Sequence, residues 1–431
     1  MAARESRFDP AMVLFLHNRY RIPGGEERTV EDLLWLVRAH LHEPAELLTR
    51  WPISDRSASL GRTRAALGLL RGGLEPGEVA QAVRLSGARV VHAHNVQPEL
   101  GWRALAAARA AGARVVLHLH QYRLVCAVGV CFTRGAECTR CHGRDTLPGV
   151  LLNCRGSLPE AVAYGTSLAL WQRRLVAQAD AVIVPSHFAR ERLRELGAPL
   201  HWKRVHVLAP PLRAPIAAAG ADAAWGDAGP DAVDLEGTAG RARAADGLAA
   251  GSYALVVARL SPEKGVDVAI DACRMAGMPL VVAGDGPERA ALAERAGDGA
   301  VRFLGHVEDR ELAELRAGAA IALAPSRSAE TFGLAVAEAM AAGLPVAASR
   351  VGALPELVDP DALVAPGDAA ALAGVIARLA GDREAGERGR ERVRALCAPE
   401  VVAHALAEVY DGREGGGERH LTSTDPRAPS A

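Results

Sequence analysis

At 431 residues the chain exceeds what one ordinary hydrophobic core organises, and a scaling of about one domain per 150 residues gives two domains plus connecting segments. Aromatic residues are only 4% and no basic-aromatic platform accompanies the arginines, which sets a nucleic-acid-binding role aside. The formal net charge of −1 hides an asymmetry, +10 over residues 1–212 against −11 over residues 213–431: either the basic half draws in an anionic acceptor or membrane surface, or the two halves face each other.

The opening MAARESRFDP has no apolar signal core behind its charges, and no charge-free stretch reaches the ~18–20 apolar residues of a membrane span. A cytoplasmic protein is expected, with peripheral association at the inner face of a membrane as the further expectation for its basic half. From there short aliphatic runs alternate with long Ala/Leu/Arg segments, the pattern of parallel strands joined by helical crossovers. The fold class is α/β, two doubly wound Rossmann-like domains facing across a cleft. In the first domain, residues 1–212, strands are predicted at 12–17, 90–94, 115–120 and 181–185. They end in His17-Asn18, His94-Asn95, His120-Gln121 and Ser186-His187. Ligands of open α/β sheets bind beyond the carboxyl ends of the strands, so four such endings mark one cleft; turn capping by Asn and Ser is the alternative.

Cys126, Cys131, Cys138, Cys141 and Cys154 fall within 29 residues. Cys138-x2-Cys141 has the spacing of a metal knuckle, and Cys126 and Cys154 complete a tetrahedral set for a structural zinc. Cys131 or His142 would substitute for one ligand, and unmetallated thiols are the other reading. Residues 213–250 are Ala, Gly and Asp with little periodicity, a composition too poor in large apolar groups for a core, and are expected to form a disordered linker or insertion.

The second domain, residues 251–397, has strands predicted at 254–258, 280–283, 301–304, 320–324, 346–348 and 362–364. Its first loop places Arg259 and Lys264 five residues apart, two cations that suit a diphosphate leaving group. Lys264 is one of only two lysines in the chain, the other being Lys203. Gly284-Asp285-Gly286-Pro287 is a tight turn that lets a ligand approach the backbone. In Glu330-Thr331-Phe332-Gly333-Leu334 a helix begins, and its unpaired first-turn amides form an anion site. Glu338 then sits on an otherwise apolar Ala-rich helix, where a carboxylate needs a partner. Ribose hydroxyls would supply it, and Glu330 would hold hydroxyls of a transferred sugar. A C-terminal helix at 398–411 is expected to cross back to the first domain, followed by a disordered tail at 412–431.

With ARLSPEKG, AGDGP, FLGHV and SRVGALPELV, the E-x7-E spacing of Glu330 and Glu338 closely resembles the donor domain of family 4 retaining glycosyltransferases of GT-B architecture, over nearly all of residues 252–397. The resemblance implies that Arg259 and Lys264 bind the donor diphosphate, Glu338 the ribose, Glu330 the donor sugar, and the Phe332-Gly333-Leu334 amides phosphate and sugar. HNRYRIPGGEE resembles the family's glycine-rich loop after strand one, which puts Gly24 and Gly25 near the donor phosphates, with Gly284 in the donor set. His120 falls where such enzymes place a histidine near the transferred sugar; His118, two residues earlier on the same strand face, is a departure from the pattern. The cysteine segment resembles a subset of the family with HNYRLLC, CxxC and a later Cys. The implied activity is retaining transfer of a hexose-type sugar from a nucleotide sugar, UDP-sugar ahead of GDP-mannose, to a glycan, lipid-linked or small-molecule acceptor. No cofactor is required for catalysis. The alternatives are a nucleotide-sugar epimerase or hydrolase and a non-catalytic sugar-nucleotide-binding partner; a dehydrogenase would need a GxGxxG fingerprint that the chain lacks.

Overall fold

The computed structural model describes residues 12–20, 24–50, 58–213, 249–297 and 299–413. Most of the expected linker at 213–250 and tail at 412–431 lies outside the described residues.

The first sheet comprises β1 (Met12–Asn18), β2 (Ala45–Arg50), β3 (Ala88–Ala93) and β4 (Arg114–His118). A small hairpin follows, β5 (Phe132–Thr133) and β6 (Ala136–Glu137), before the sheet resumes with β7 (Ala181–Val184) and β8 (Val205–Val207). Its order is β2-β1-β3-β4-β7-β8, parallel throughout. The second sheet comprises β9 (Ala254–Val257), β10 (Leu280–Ala283), β11 (Val301–Gly305), β12 (Ile321–Ala324), β13 (Val346–Ser349) and β14 (Leu363–Val364), ordered β11-β10-β9-β12-β13-β14 and also parallel. Both faces of each sheet are covered, so central strands such as ALVV and LVVA are aliphatic without alternation. β4 stops at His118 rather than at residue 120. β2 and β8 escape the sequence reading because AELLTR carries polar residues on an edge strand and VHV is three residues long.

In each sheet the strand order reverses once, between β1 and β3 in the first and between β9 and β12 in the second, and the crevice outside such a reversal is where open α/β sheets bind ligands. One face of the first sheet, with Val13, Phe15, Val90 and Val116, packs against the helix Gly25–His40 and against the last helix, Pro399–Tyr410. That last helix leaves the second domain and buries Val402, Leu406 and Tyr410 on the first, with about 1.5–3 kcal/mol for each aliphatic side chain removed from water. Arg114 Nε donates to the Val409 carbonyl at 3.1 Å, satisfying part of the helix's otherwise unpaired last turn. Among the described residues no helix is long and apolar enough to cross a membrane.

Candidate active site

The β9 and β12 loops meet at the reversal in the second sheet. After β9 the chain makes a short turn, Pro262–Lys264, and Gly265 follows in the left-handed region. Lys264 Nζ donates to Glu330 Oε1 at 2.7 Å, and Ser326 Oγ donates to the same oxygen at 2.7 Å. Burial pushes the Glu330 carboxyl up, but the Lys264 charge and the two hydrogen bonds outweigh it and hold the group below its ordinary value. Burial acts downward on Lys264, and Glu330 reverses that too, so both are ionised at neutral pH. Lys264 is therefore already engaged by a carboxylate. Arg259 is exposed and forms no ion pair with the described residues.

Gly284 is held at φ +135°, and a Cβ there would lie 1.9 Å from the Ala258 carbonyl oxygen, so the turn after β10 is pressed against the end of β9. Gly333, at φ +101°, opens the helix Leu334–Ala341, and a Cβ on it would meet Leu354 at 2.6 Å. Phe332 is buried in the core of the second domain, so it offers the site its backbone only. The first-turn amides of this helix lack intrahelical acceptors and face the cleft end of the sheet.

Glu338 is partnered, but by protein. Arg316, 8% exposed, donates to its Oε2, and Arg28 of the first domain reaches its Oε1 at 3.3 Å. The buried arginine thus offsets the desolvation of this carboxylate before any ligand arrives. Sequence spacing gave no signal for either arginine, which lie 22 and 310 residues away.

Further bonds cross between the domains. Thr331 Oγ1 donates to the His120 carbonyl at 2.8 Å, and Ser186 Oγ donates to the Thr331 carbonyl at 2.6 Å. Glu356 accepts the amides of His187 and Phe188 at 3.1 and 2.6 Å, so a second-domain carboxylate caps the first-domain helix His187–Glu195. A Cβ on Gly25 would lie 3.3 Å from Leu334, so the loop after β1 faces the Gly333 helix; Gly24 is exposed at the start of its own helix. Residues 21–23 of that loop lie outside the described residues. Glu27 shapes what is described by accepting the amides of Tyr20 at 2.7 Å and Gly24 at 3.0 Å.

The four polar strand ends do not share one role. Asn18 and Asn95 clamp β1 to β3, each side-chain amide donating to the other's carbonyl at 3.2 and 2.8 Å. Behind them lies a stack of imidazoles that the sequence reading saw only in part. His92 and His94 on one strand pair with His118 and His120 on the next, with N···N separations of 3.2 Å for His92–His118 and 2.8 Å for His94–His120. Tyr410 of the last helix closes the far end, 2.8 Å from His92 Nδ1. Burial pushes His92, His94, His118 and His120 below the ordinary histidine value, so all four are neutral near pH 7. His92, His94 and His118 form the one set of donor atoms among the described residues close enough together to hold a metal, within 4.8 Å. The nitrogens of His92 that would face an ion are already spent on Tyr410 and His118. Both His118 and His120 line one cavity of the first domain, but His118 is buried in this stack while His120 is half-buried and its carbonyl takes the cross-domain bond from Thr331. Beside it Glu26 accepts from Tyr20 Oη at 2.7 Å and from Gln121 Nε2 at 3.1 Å.

Cys126, Cys131, Cys138, Cys141 and Cys154 all line one small void around the β5–β6 hairpin, and all are free thiols. A hydrogen bond from Cys131, together with the backbone amides of Gly129, Cys131 and Val128, outweighs burial and pulls the Cys126 thiol down to about 6. No three of these sulfurs lie mutually within 4.8 Å.

Against known proteins, the family model for glycosyl transferases group 1 matches residues 251–382, and that for a glycosyl transferase 4-like domain matches residues 22–211, together about three quarters of the chain. The MMP alpha-(1->4)-mannosyltransferase of Mycolicibacterium hassiacum is 38% identical over 135 residues, 30% of this chain and 33% of the relative. A GDP-mannose-dependent alpha-(1-6)-phosphatidylinositol dimannoside mannosyltransferase of Mycobacterium tuberculosis is 45% identical over 109 residues, 24% of this chain and 28% of the relative. The chain thus aligns with a third or less of these two relatives' lengths. The solved sucrose-phosphate synthase of Thermosynechococcus elongatus matches with a TM-score of 0.62 at 21% identity, covering 93% of this chain and 98% of that one, a likeness of fold.

Proposed function

We propose, from the premise that the chain belongs to the group 1 glycosyl transferase family, that it moves a hexose-type sugar from a nucleoside diphosphate sugar to an acceptor hydroxyl with retention at the anomeric carbon. The observation that carries the reading is the hydrogen-bonded, half-buried Lys264–Glu330 pair with buried Ser326 at the β9/β12 reversal, beside exposed Arg259 and the Gly333 helix start. The donor diphosphate lies against Arg259, Lys264 and the first-turn amides, which stabilise the roughly two charges that develop as the anomeric C–O bond breaks; fixed donors in such a site contribute several kcal/mol. Glu330 keeps Oε2 for a sugar hydroxyl, and Glu338, already oriented by Arg316, holds the ribose. The acceptor oxygen attacks from the face the diphosphate leaves, and its proton passes to a leaving-group oxygen. His120, neutral, positions the transferred sugar by hydrogen bonding. The chain's own residues suffice for this step, with no cofactor.

The names of the two relatives favour mannose, so GDP-mannose moves ahead of UDP-sugars as the donor to test. Binding to the full chain is measured by thermal shift and calorimetry, on the wild type and Lys264→Ala. One nucleotide sugar at 100 times its Kd stabilises the wild type by about 2.7 kcal/mol, and Lys264→Ala loses tenfold or more in affinity. No shift with any nucleotide sugar overturns the reading.

A structural zinc on Cys126, Cys138, Cys141 and Cys154 is the companion proposal. All four face one void, and the amides around Cys126 favour its thiolate, a donor set that suits this ion once the sulfurs draw together. It would brace the loop beyond His120.

A further inference from the structure

On the transfer reading above, we propose that the acceptor is an amphiphile, and that its hydrocarbon part occupies a cavity in the first domain that opens beside His120. The cavity spans about 700 Å³ of non-atom space, its open mouth included. Its two ends differ in chemistry. One part of the lining is polar, with His120, Gln121, Glu26 and Arg123; the other is apolar, with Leu69, Leu168, Leu175, Trp102 and Trp171. A purely polar sugar acceptor gains nothing from the apolar part, whereas a hydrocarbon or aryl group gains in proportion to the apolar area it removes from water.

Three observations separate this cavity from an ordinary packing defect. The ring centroids of Trp102 and Trp171 lie 6.0 Å apart, with the Arg174 guanidinium over both at 5.4 and 5.1 Å, so the wall is an organised aromatic surface. Trp102 Nε1 is buried with no hydrogen-bond partner among the described residues, although buried indole N–H groups ordinarily find one. Arg123 lines the polar end, gives one hydrogen bond to Gln121 at 3.0 Å, and pairs with no carboxylate among the described residues, while its Nε is buried and unpartnered. An anionic group joining the head of the acceptor to its tail would find that cation.

The apolar character continues outward. Among the described residues, seven of the ten exposed large hydrophobic side chains are Leu67, Leu70, Leu147, Leu151, Leu158, Val162 and Leu170, all on three neighbouring helices, Ala58–Arg71, Leu147–Leu151 and Leu158–Ala177. Two of those helices supply the cavity's Leu69, Leu168 and Trp171. A tail longer than the cavity therefore emerges onto a surface that also suits it.

The experiment uses the full chain and two probes that differ only in the tail, n-octyl β-D-glucopyranoside below its micelle concentration and methyl β-D-glucopyranoside, with binding followed by tryptophan fluorescence and calorimetry. The octyl probe is expected to bind at least tenfold tighter. Ser167→Phe, which fills the cavity from a buried lining position, and Leu69→Gln, which makes its wall polar, should each reduce that advantage to threefold or less while the affinity for the nucleotide sugar stays within twofold. Equal binding of the two probes, or an octyl preference untouched by both variants, overturns the proposal. Phosphatidylglycerol vesicles distinguish the source of the tail: sedimentation with vesicles that monomeric octyl glucoside cannot compete assigns the leucines to a membrane surface alone and also overturns it. If the wild type binds no nucleotide sugar, the transfer reading fails instead, and the probe comparison still stands or falls by itself.

Discussion

Replacing Glu338 separates two jobs that the structure gives to one carboxylate. Arg316, 8% exposed, loses its compensating charge in Glu338→Ala; removing one partner of a buried pair costs about 3–5 kcal/mol. Arg28, whose side chain is 36% exposed, adds at most about 1 kcal/mol, because solvent screens it. The expected loss is thus dominated by Arg316, and it should appear in urea unfolding at pH 7.5 followed by circular dichroism. Arg316→Leu on the Glu338→Ala background removes the stranded charge and should recover more than half of the lost stability, as contacting partners in a double-mutant cycle do. Affinity for the nucleotide sugar should stay down tenfold or more in both single and double variants, because the ribose contact is gone in each. If Glu338→Ala unfolds within about 0.5 kcal/mol of wild type, or if Arg316→Leu rescues nothing, the buried-pair reasoning is wrong.

Acid should destabilise the protein through the imidazole stack. Burial lowers His92 to about 3, so the unfolded chain, titrating near 6.5, binds the extra proton; the stabilisation is complete above about pH 6.5 and falls as pH drops below it, by about 1.4 kcal/mol at pH 5.5 for His92 alone. His94, His118 and His120 shift the same way, and an unfolding midpoint unchanged between pH 7.5 and 5.5 would contradict the stack. His120→Asn should lower kcat about tenfold or more with donor Kd changed less than threefold; a loss confined to donor Kd would remove His120 from the reacting sugar. Elemental analysis should find one zinc per chain, lost in Cys138→Ser/Cys141→Ser together with several degrees of Tm; a metal-free wild type with the same Tm returns the cysteines to plain thiols.

The legible part of the site was the part written locally. Arg259, Lys264, Gly284, Glu330 and Gly333 sit at strand ends and helix starts, where short-range rules of turn chemistry and ligand placement operate. The reading faltered where a partner came from far along the chain. Glu338 was expected to find its partner in ribose, and the arginines Arg316 and Arg28 that pair with it were not foreseen; Glu356 caps a helix 169 residues away; and Asn18 and Asn95, read as cleft or turn-capping residues, clamp two strands. The histidine stack had a signal that was half used. His92 and His94, like His118 and His120, are two residues apart, and spacing of two on adjacent parallel strands puts all four rings on one sheet face.

Transfer itself is the most direct test. GDP-mannose labelled in the sugar is incubated with the full chain and an octyl glycoside acceptor, and the product is followed by mass spectrometry, with the anomeric configuration of the new bond read by NMR. The account predicts an α-linked product from an α-linked donor, formed by the wild type and reduced a hundredfold or more in Glu330→Gln and Lys264→Ala. A β-linked product would contradict retention, and product formation undiminished in both variants would contradict the site.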